Sequence, residues 1–467
     1  MARSINQRRP RIASTMAAVA TTLAVGAGVA AAADPFVASG RQAWLPRVIP
    51  AALPAPTGPI PPIAIIETLV DRRHPEMQGG WVSVRRPGPL PDESDLRASV
   101  EWVAGVDHGT MVSSVIGAPE NGVGVQGVLP GTPVWVYGTS GFCRDVAAAT
   151  RQAVRDGAKV INFSAGFTSA GACRELRDAV GLAHGTGTLV VAAAGNGRPG
   201  QGWTQPANDY HVLTVGALNA LNMPTAWSVQ GNTLDIMAPG EGITTACIQD
   251  FDLDDGAQDG YCEVDGTSFS APMVAAAAAR VLADRPDLNA DQVGRILTNS
   301  ARDLGATGWD RAYGYGALDL AAAIAAPTPD SDVLEPNEEF KWVNGGGGFR
   351  PDPPLLGQRS RTGFRATLDM IKDPIDIYRV SIPAGRAARI TVTPRSVGLD
   401  IGAFESWSTR RTTPSDLIAR SSRRGMATES MVVRGAPNGR PFYLMVFSTG
   451  VRGQFSGSYD LAITRVR

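Results

Sequence analysis

The chain lacks a charge surplus of either sign: 43 Lys and Arg stand against 44 Asp and Glu in 467 residues, a net charge of −1. No long basic run interrupts it, so the electrostatic footprint of a nucleic-acid binder is missing. Closely spaced Cys/His pairs are also missing, which argues against a zinc site, and no metal ligands are assigned. The glycines of Gly122-Val123-Gly124-Val125-Gln126-Gly127 are not followed by Lys and Ser or Thr, so they mark tight turns and not a phosphate cradle.

Cysteine is scarce, with only Cys143, Cys173, Cys247 and Cys262. What precedes them makes the count informative. Arg3, Arg8, Arg9 and Arg11 lead into an apolar stretch from Ile12 to about Ala33 that ends in three alanines, the pattern of a secretory signal peptide over residues 1–33. The alternative is an uncleaved anchor, since Met16 to Ala33 is nearly long enough to span a bilayer. Alanine-rich helices insert poorly, which favours cleavage, a secreted chain and no stable membrane span in the mature protein. In an exported chain an even cysteine count favours disulfides over metal. Three connectivities are open, and local pairing, Cys143 with Cys173 and Cys247 with Cys262, is the expectation.

Length and a 43% hydrophobic content allow two domains with real cores. The most informative segment is Gly266-Thr267-Ser268-Phe269-Ser270-Ala271-Pro272, which runs into the alanine-rich stretch Met273 to Leu282. It places the Ser268 hydroxyl at the start of a buried helix, where unpaired backbone N–H groups would stabilise an oxyanion. Gly266 permits a tight turn, and Pro272 is expected in the first helical turn, where no intrahelical bond is needed. Upstream lie Ile63-Ala64-Ile65-Ile66-Glu67, an apolar run ending in a carboxylate; His108-Gly109-Thr110, an imidazole just ahead of a helix reaching about Ile116; and Ala192-Ala193-Ala194-Gly195-Asn196.

This order of acid, His, Asn and Ser over roughly Ile63 to Ala325 resembles the subtilisin-like serine protease (subtilase) family, whose triad runs Asp, His, Ser along the chain. The chemistry stands beside the resemblance. A serine hydroxyl is a poor nucleophile until a base removes its proton, a task that suits His108. A buried carboxylate on the other ring nitrogen fixes the tautomer, the role of Glu67, and the Asn196 amide joins the Ser268 backbone N–H as oxyanion donors. The acid departs from the family pattern: subtilases carry Asp-Thr-Gly where this chain reads Glu67-Thr68-Leu69. Glutamate is longer by one methylene, so the strand end or the rotamer must adjust, which puts the rate in doubt more than the mechanism. Asp71 and Asp107 are rival acids.

In subtilases the segment matching Ser164, Ala165 and Gly166 pairs its backbone with an extended substrate, which implies a protein or peptide substrate bound by strand addition. Val190 to Ala194 would line a small apolar specificity wall. No cofactor is required; structural calcium is allowed for, without a clear ligand loop.

Continuous apolar runs at Ile63–Ile66, Val134–Tyr137, Val160–Phe163, Leu189–Ala193, Val212–Val215 and Leu234–Met237 alternate with helical stretches at Asp145–Arg155, Arg174–His184, Ser268–Ala283 and Asp291–Asn299. The expected fold is α/β, a mostly parallel sheet with helices on both faces, over residues 63–326. Residues 34–62 form a Pro-rich extension too short to fold alone; with the cysteines it resembles the mycosin branch, and it either wraps the catalytic domain or stays disordered. After a linker at 327–333, residues 334–467 show short alternating strands and read as a smaller all-β sandwich. The Leu334-Glu335-Pro336-Asn337-Glu338 opening, Asp373, Asp376 and the closing Ser458-Tyr459-Asp460 resemble the bacterial pre-peptidase C-terminal domain. Two functions are carried forward: a secreted serine endopeptidase, and a catalytically weakened binding or scaffolding protein on the same fold.

Overall fold

Seven strands assemble into one wholly parallel sheet: β1 (Ile63–Glu67), β2 (Val82–Arg85), β3 (Val134–Gly138), β4 (Val160–Phe163), β5 (Leu189–Ala193), β6 (Val212–Leu218) and β7 (Ile236–Pro239), in the order β2-β3-β1-β4-β5-β6-β7. The computed structural model describes residues 34–50, 53–85, 100–166, 173–197, 204–249, 252, 257–332, 334–369, 372–406, 408, 414–439, 441–449 and 456–466. The signal-peptide assignment at 1–33 lies outside them. All the described residues fall in one compact unit.

The runs are continuous and not alternating because both faces of this sheet are covered. Val160, Val191, Val215 and Ile236 pack into one core with the alanine-rich helix, while Ile161, Phe163 and Val190 face a second core on the other side. Helices α4 (Cys143–Arg155) and α5 (Arg174–Gly185) supply that second core, and α3 (Val100–Gly117), α6 (Thr267–Asp284) and α7 (Ala290–Asn299) the first. Helix α6 is buried along nearly its whole length, and its alanines allow it to lie close against the strands. In the strand order the chain reverses at β1, the switch point at whose carboxyl end parallel sheets of this kind place their sites.

Three sequence expectations need correction. His108 does not precede a helix but sits inside α3, which begins at Val100. Pro272 lies beyond the first turn of α6, so it withholds an N–H from the turn below it. The last sheet strand starts at Ile236 and not at Leu234, because Asp235 turns its carboxylate back to accept the Thr214 N–H at 2.7 Å.

The cysteines pair locally, Cys143 with Cys173 and Cys247 with Cys262. The second bridge joins the loop after β8 (Ile243–Ala246) to β9 (Tyr261–Val264), an antiparallel hairpin beside the sheet. The N-terminal extension wraps the sheet domain: Trp44, Leu45 and Val48 are buried in the main core, and the Trp44 indole N–H donates to the Thr244 carbonyl at 3.2 Å. Short helices α1 (Pro35–Ala38) and α2 (Leu45–Val48) shape this wrap.

The C-terminal region forms two facing sheets. One contains β10 (Leu355–Leu356), β12 (Ile375–Ser381), β14 (Leu399–Phe404), β15 (Leu417–Ser422) and β17 (Phe442–Ser448); the other contains β11 (Arg361–Asp369), β13 (Ala387–Pro394), β16 (Glu429–Arg434) and β18 (Ser456–Val466). Inward residues of both, among them Val380, Ile401, Val446, Ile390 and Leu461, share one core. The sandwich docks on the peptidase side: Lys372 donates to the Ala207 carbonyl at 2.8 Å and the Thr214 hydroxyl at 2.9 Å, and the Trp342 indole N–H donates to Asp178 at 3.0 Å.

Where the extension meets the sheet domain, Glu76 is fully buried and accepts from the Val125 N–H at 2.9 Å and the Tyr261 hydroxyl at 3.0 Å. Burial outweighs these bonds and, with the neighbouring Asp34 carboxylate, pushes its pKa up to about 7. Between its ordinary value near 4.5 and about 7 the folded state holds a proton that the unfolded state releases, so stability falls as pH rises through that window. In a Ser268→Ala background, which prevents self-digestion, Glu76→Gln should be more stable than the parent at pH 8 by roughly 2–3 kcal/mol, with the gap closing below pH 4.5. Denaturant unfolding across pH measures this, and parallel profiles for the two proteins would contradict it.

Candidate active site

The candidate site is built at the carboxyl end of β1. Glu67 closes that strand, is 6% exposed, and pairs in register with Gly138 of β3. Its carboxylate reaches the His108 ring from below: Oε2 lies 3.2 Å from Nδ1 in hydrogen-bond geometry, and Oε1 lies 3.1 Å from the same nitrogen as an ion-pair contact without that geometry. The added methylene therefore brings the acid to the imidazole edge with both oxygens near Nδ1. Close approach of helix to strand makes room for this. Gly109, next to His108, has Leu69 against it, and a Cβ there would stand 2.0 Å from the Leu69 carbonyl oxygen.

The two rival acids are engaged elsewhere. Asp71 accepts from the Arg73 guanidinium at 2.8 and 2.9 Å, and Asp107 accepts the Ile248 N–H at 2.6 Å beside the Cys247–Cys262 bridge. Burial disfavours a charged His108, but the Glu67 charge and hydrogen bond, with the Asp107 charge, outweigh it and hold its pKa above the ordinary imidazole value. With Nδ1 committed to Glu67, Nε2 is the nitrogen left for proton transfer.

Ser268 is the second residue of α6 and is half-buried. Phe269 beside it places its ring 6.0 Å from the His108 ring, which brings the start of α6 to the imidazole. In this structure the Ser268 hydroxyl donates to the Ser164 carbonyl at 2.8 Å. A second bond runs the other way, from the Ser164 hydroxyl to the Ser268 carbonyl at 2.7 Å, and Asn162 in turn donates to that hydroxyl at 2.9 Å. Pro272 explains why the Ser268 carbonyl needs an outside donor. It occupies the position whose N–H would close the helical bond to that oxygen, and it has none to give. The reciprocal pair ties the end of β4 to the first turn of α6.

Asn196 follows β5 in an exposed position. Its Oδ1 accepts from the Thr267 N–H and hydroxyl, both at 2.9 Å, and the Thr267 hydroxyl accepts the Gly195 N–H at 3.1 Å. This commits the amide oxygen and leaves Nδ2 as donor. A Cβ at Gly266 would press on that nitrogen at 3.2 Å, which gives the glycine a second role besides turning the chain. Ala165 and Gly166 leave the β4 end exposed beside Ser268. Sequence reasoning missed Ser164 as a partner of the Ser268 backbone; the signal was Pro272 four residues after Ser268.

The subtilase family model matches residues 61–316, more than half of the chain. The chain is 33% identical to subtilisin DY of Bacillus licheniformis over 227 residues, covering 47% of this chain and 78% of that protein. It is 29% identical to fervidolysin of Fervidobacterium pennivorans over 307 residues, 60% of this chain, and spans only 42% of fervidolysin's length. Among solved structures, the prenylagaramide maturation protease PagA is 26% identical, with a TM-score of 0.47, over 57% of this chain and 94% of PagA. The chain belongs to the subtilase family, a family of serine proteases.

Gly109→Ala should wedge α3 away from β1, separate His108 from Glu67 and lower kcat/KM on a peptide substrate by at least about 100-fold, since a shift near 1 Å costs that much. Retention of full activity would mean that the close approach at Leu69 does not position His108.

Proposed function

We propose that the chain is a secreted serine endopeptidase that cleaves peptide bonds through an acyl-enzyme on Ser268. The reading rests on one observation above all: a buried Glu67 carboxylate with both oxygens 3.1–3.2 Å from His108 Nδ1, at the strand end facing the start of α6. An extended substrate adds as a strand along Ser164, Ala165 and Gly166, its main chain bonding to their backbone, with small or apolar side chains preferred. Substrate entry displaces the Ser268 hydroxyl from the Ser164 carbonyl and turns it toward His108. His108 Nε2 takes the hydroxyl proton as Ser268 Oγ attacks the carbonyl carbon, and Glu67 stabilises the imidazolium that results. The oxyanion accepts from Asn196 Nδ2 and the Ser268 N–H. The imidazolium then protonates the leaving amine, and water, activated by the same imidazole, releases the acyl group. No cofactor enters these steps.

Secretion is supported by the Arg-flanked apolar segment before Asp34 and by two disulfides, which persist in oxidising compartments. No helix among the described residues is long and apolar enough to cross a membrane. The second reading, a weakened binding or scaffolding protein, draws on the Ser268 hydroxyl being bonded to Ser164.

A fluorophosphonate probe tests the two readings: labelling of the wild type that disappears in Ser268→Ala supports the enzyme, and no wild-type labelling from pH 5 to 9 supports the scaffold. Glu67→Asp should preserve or raise turnover, whereas Glu67→Ala should lower it by several orders of magnitude; equal rates for all three proteins would mean that another acid acts. The base must be neutral, so activity is lost as pH falls through the raised His108 pKa. In Glu67→Gln the acidic limb of the kcat/KM profile should move to lower pH while the maximum drops by roughly 10⁴-fold. An unmoved limb would detach Glu67 from the base.

A further inference from the structure

A group of buried ionisable side chains lies where the sandwich meets the peptidase sheet, away from Ser268, and catalysis does not use it. We propose that this junction is a divalent-cation site built by both halves of the chain, with His211 from the peptidase side and Asp332, Glu335, Glu338 and Asp376 from the C-terminal side, so that the bound ion clamps the two together.

The geometry supplies two overlapping ligand sets. One donor atom each of His211, Glu335 and Glu338 lies within 4.8 Å of the others, and so does one each of Asp332, Glu335 and Asp376. Glu335 belongs to both. His211 Nε2 is 3.5 Å from Glu335 Oε2 and touches Glu338 Oε1, and the ring is held by stacking on His184 with centroids 3.9 Å apart. Asp332, Glu338 and Asp376 are buried in full or nearly so, and the His211 and Glu335 side chains are each 5% exposed. Residue 211 takes φ +59°, a left-handed conformation uncommon for a non-glycine residue, at the point where the ring enters the junction.

The second observation is an unsatisfied acceptor. Asp376 Oδ2 accepts from the Tyr378 hydroxyl at 3.0 Å and from the Tyr459 hydroxyl, while its Oδ1, fully buried, has no hydrogen-bond partner. Asp373 Oδ1 is in the same condition. Among the described residues no Lys or Arg pairs with Asp332, Glu335, Asp373 or Asp376. Lys372 is turned to Thr214 and Asp235, and Arg295 pairs with Asp291. Burial, and then mutual repulsion, holds Glu335, Asp373 and Asp376 well above the usual carboxylate range. Such a group needs protons or a cation. The supports favour a cation: two tyrosines hold Asp376 from behind, Asn337 donates to both oxygens of Glu335, and the Thr367 N–H fixes Asp332, as partners behind metal ligands do.

The C-terminal resemblance allowed for structural calcium but showed no ligand loop, and the acids do come from separate segments, 332–338 and 373–376. Their donors fit that ion. An oxygen-rich set without thiolate suits Ca²⁺ or Mn²⁺, and the imidazole also admits Zn²⁺. The inference particular to this chain is His211, which makes the peptidase half a ligand donor.

The test uses the full chain carrying Ser268→Ala, stripped with a chelator and dialysed. Calorimetric titration with CaCl₂, MnCl₂ and ZnCl₂ separately should show one ion bound per chain for at least one metal, with a rise in the unfolding midpoint. Asp376→Asn and Glu335→Gln, checked by circular dichroism, should weaken binding at least 10-fold, and His211→Ala should weaken it and speed added-protease cleavage in the 327–333 linker. Absence of binding and of any midpoint shift with all three ions would overturn the site. Unchanged affinity in His211→Ala would confine it to the C-terminal half and overturn the clamp.

Discussion

The site depends on a carboxylate one methylene longer than its family's usual acid meeting an imidazole across a strand and a helix. β1 ends at Glu67, α3 carries His108, and the separation between those two elements is set by Gly109 against the Leu69 carbonyl. The extra reach of glutamate is absorbed within this local geometry, and both oxygens end near Nδ1. That contact commits His108 Nδ1 and, with the Asp107 charge, raises the pKa of the ring.

Ser268, the proposed nucleophile, is held by a different device. Pro272 strips one bond from the α6 ladder, and the Ser164 hydroxyl fills the gap at the Ser268 carbonyl. Strand β4, whose end is the proposed substrate edge, is thereby fastened to the helix that carries Ser268. Thr267 does the same for β5 through Asn196. Three adjacent parallel strands thus deliver acid, backbone edge and amide to one rim, and α6 crosses beneath them.

Much of this was legible in the sequence because buried parallel strands are written as unbroken apolar runs. Five of the six apolar runs coincide with strands of the seven-stranded sheet, β2 answering to none of them; the disulfides follow local pairing, and the alanine-rich stretch after Ser268 is the buried helix. What escaped has physical reasons. Gly105 and Gly109, poor helix formers, flank His108 in the sequence, so it reads as a junction residue when it is mid-helix. Asp235 looks like part of a strand because its neighbours are apolar, yet its side chain bonds to a backbone N–H. The wrap of residues 34–50 depends on Trp44 finding a carbonyl far along the chain, which no local pattern encodes. His211 and the acids after Asp332 are likewise remote in sequence, and only docking of the sandwich brings them together.

The most direct test of the account is a double-mutant cycle on kcat/KM with Glu67→Ala, His108→Ala and the pair. If the carboxylate acts through the imidazole, the double variant is no slower than His108→Ala alone, because removing the ring removes what Glu67 does. Losses that multiply, with the pair slower by the product of the two single effects, would show that Glu67 acts independently of His108 and would contradict the account.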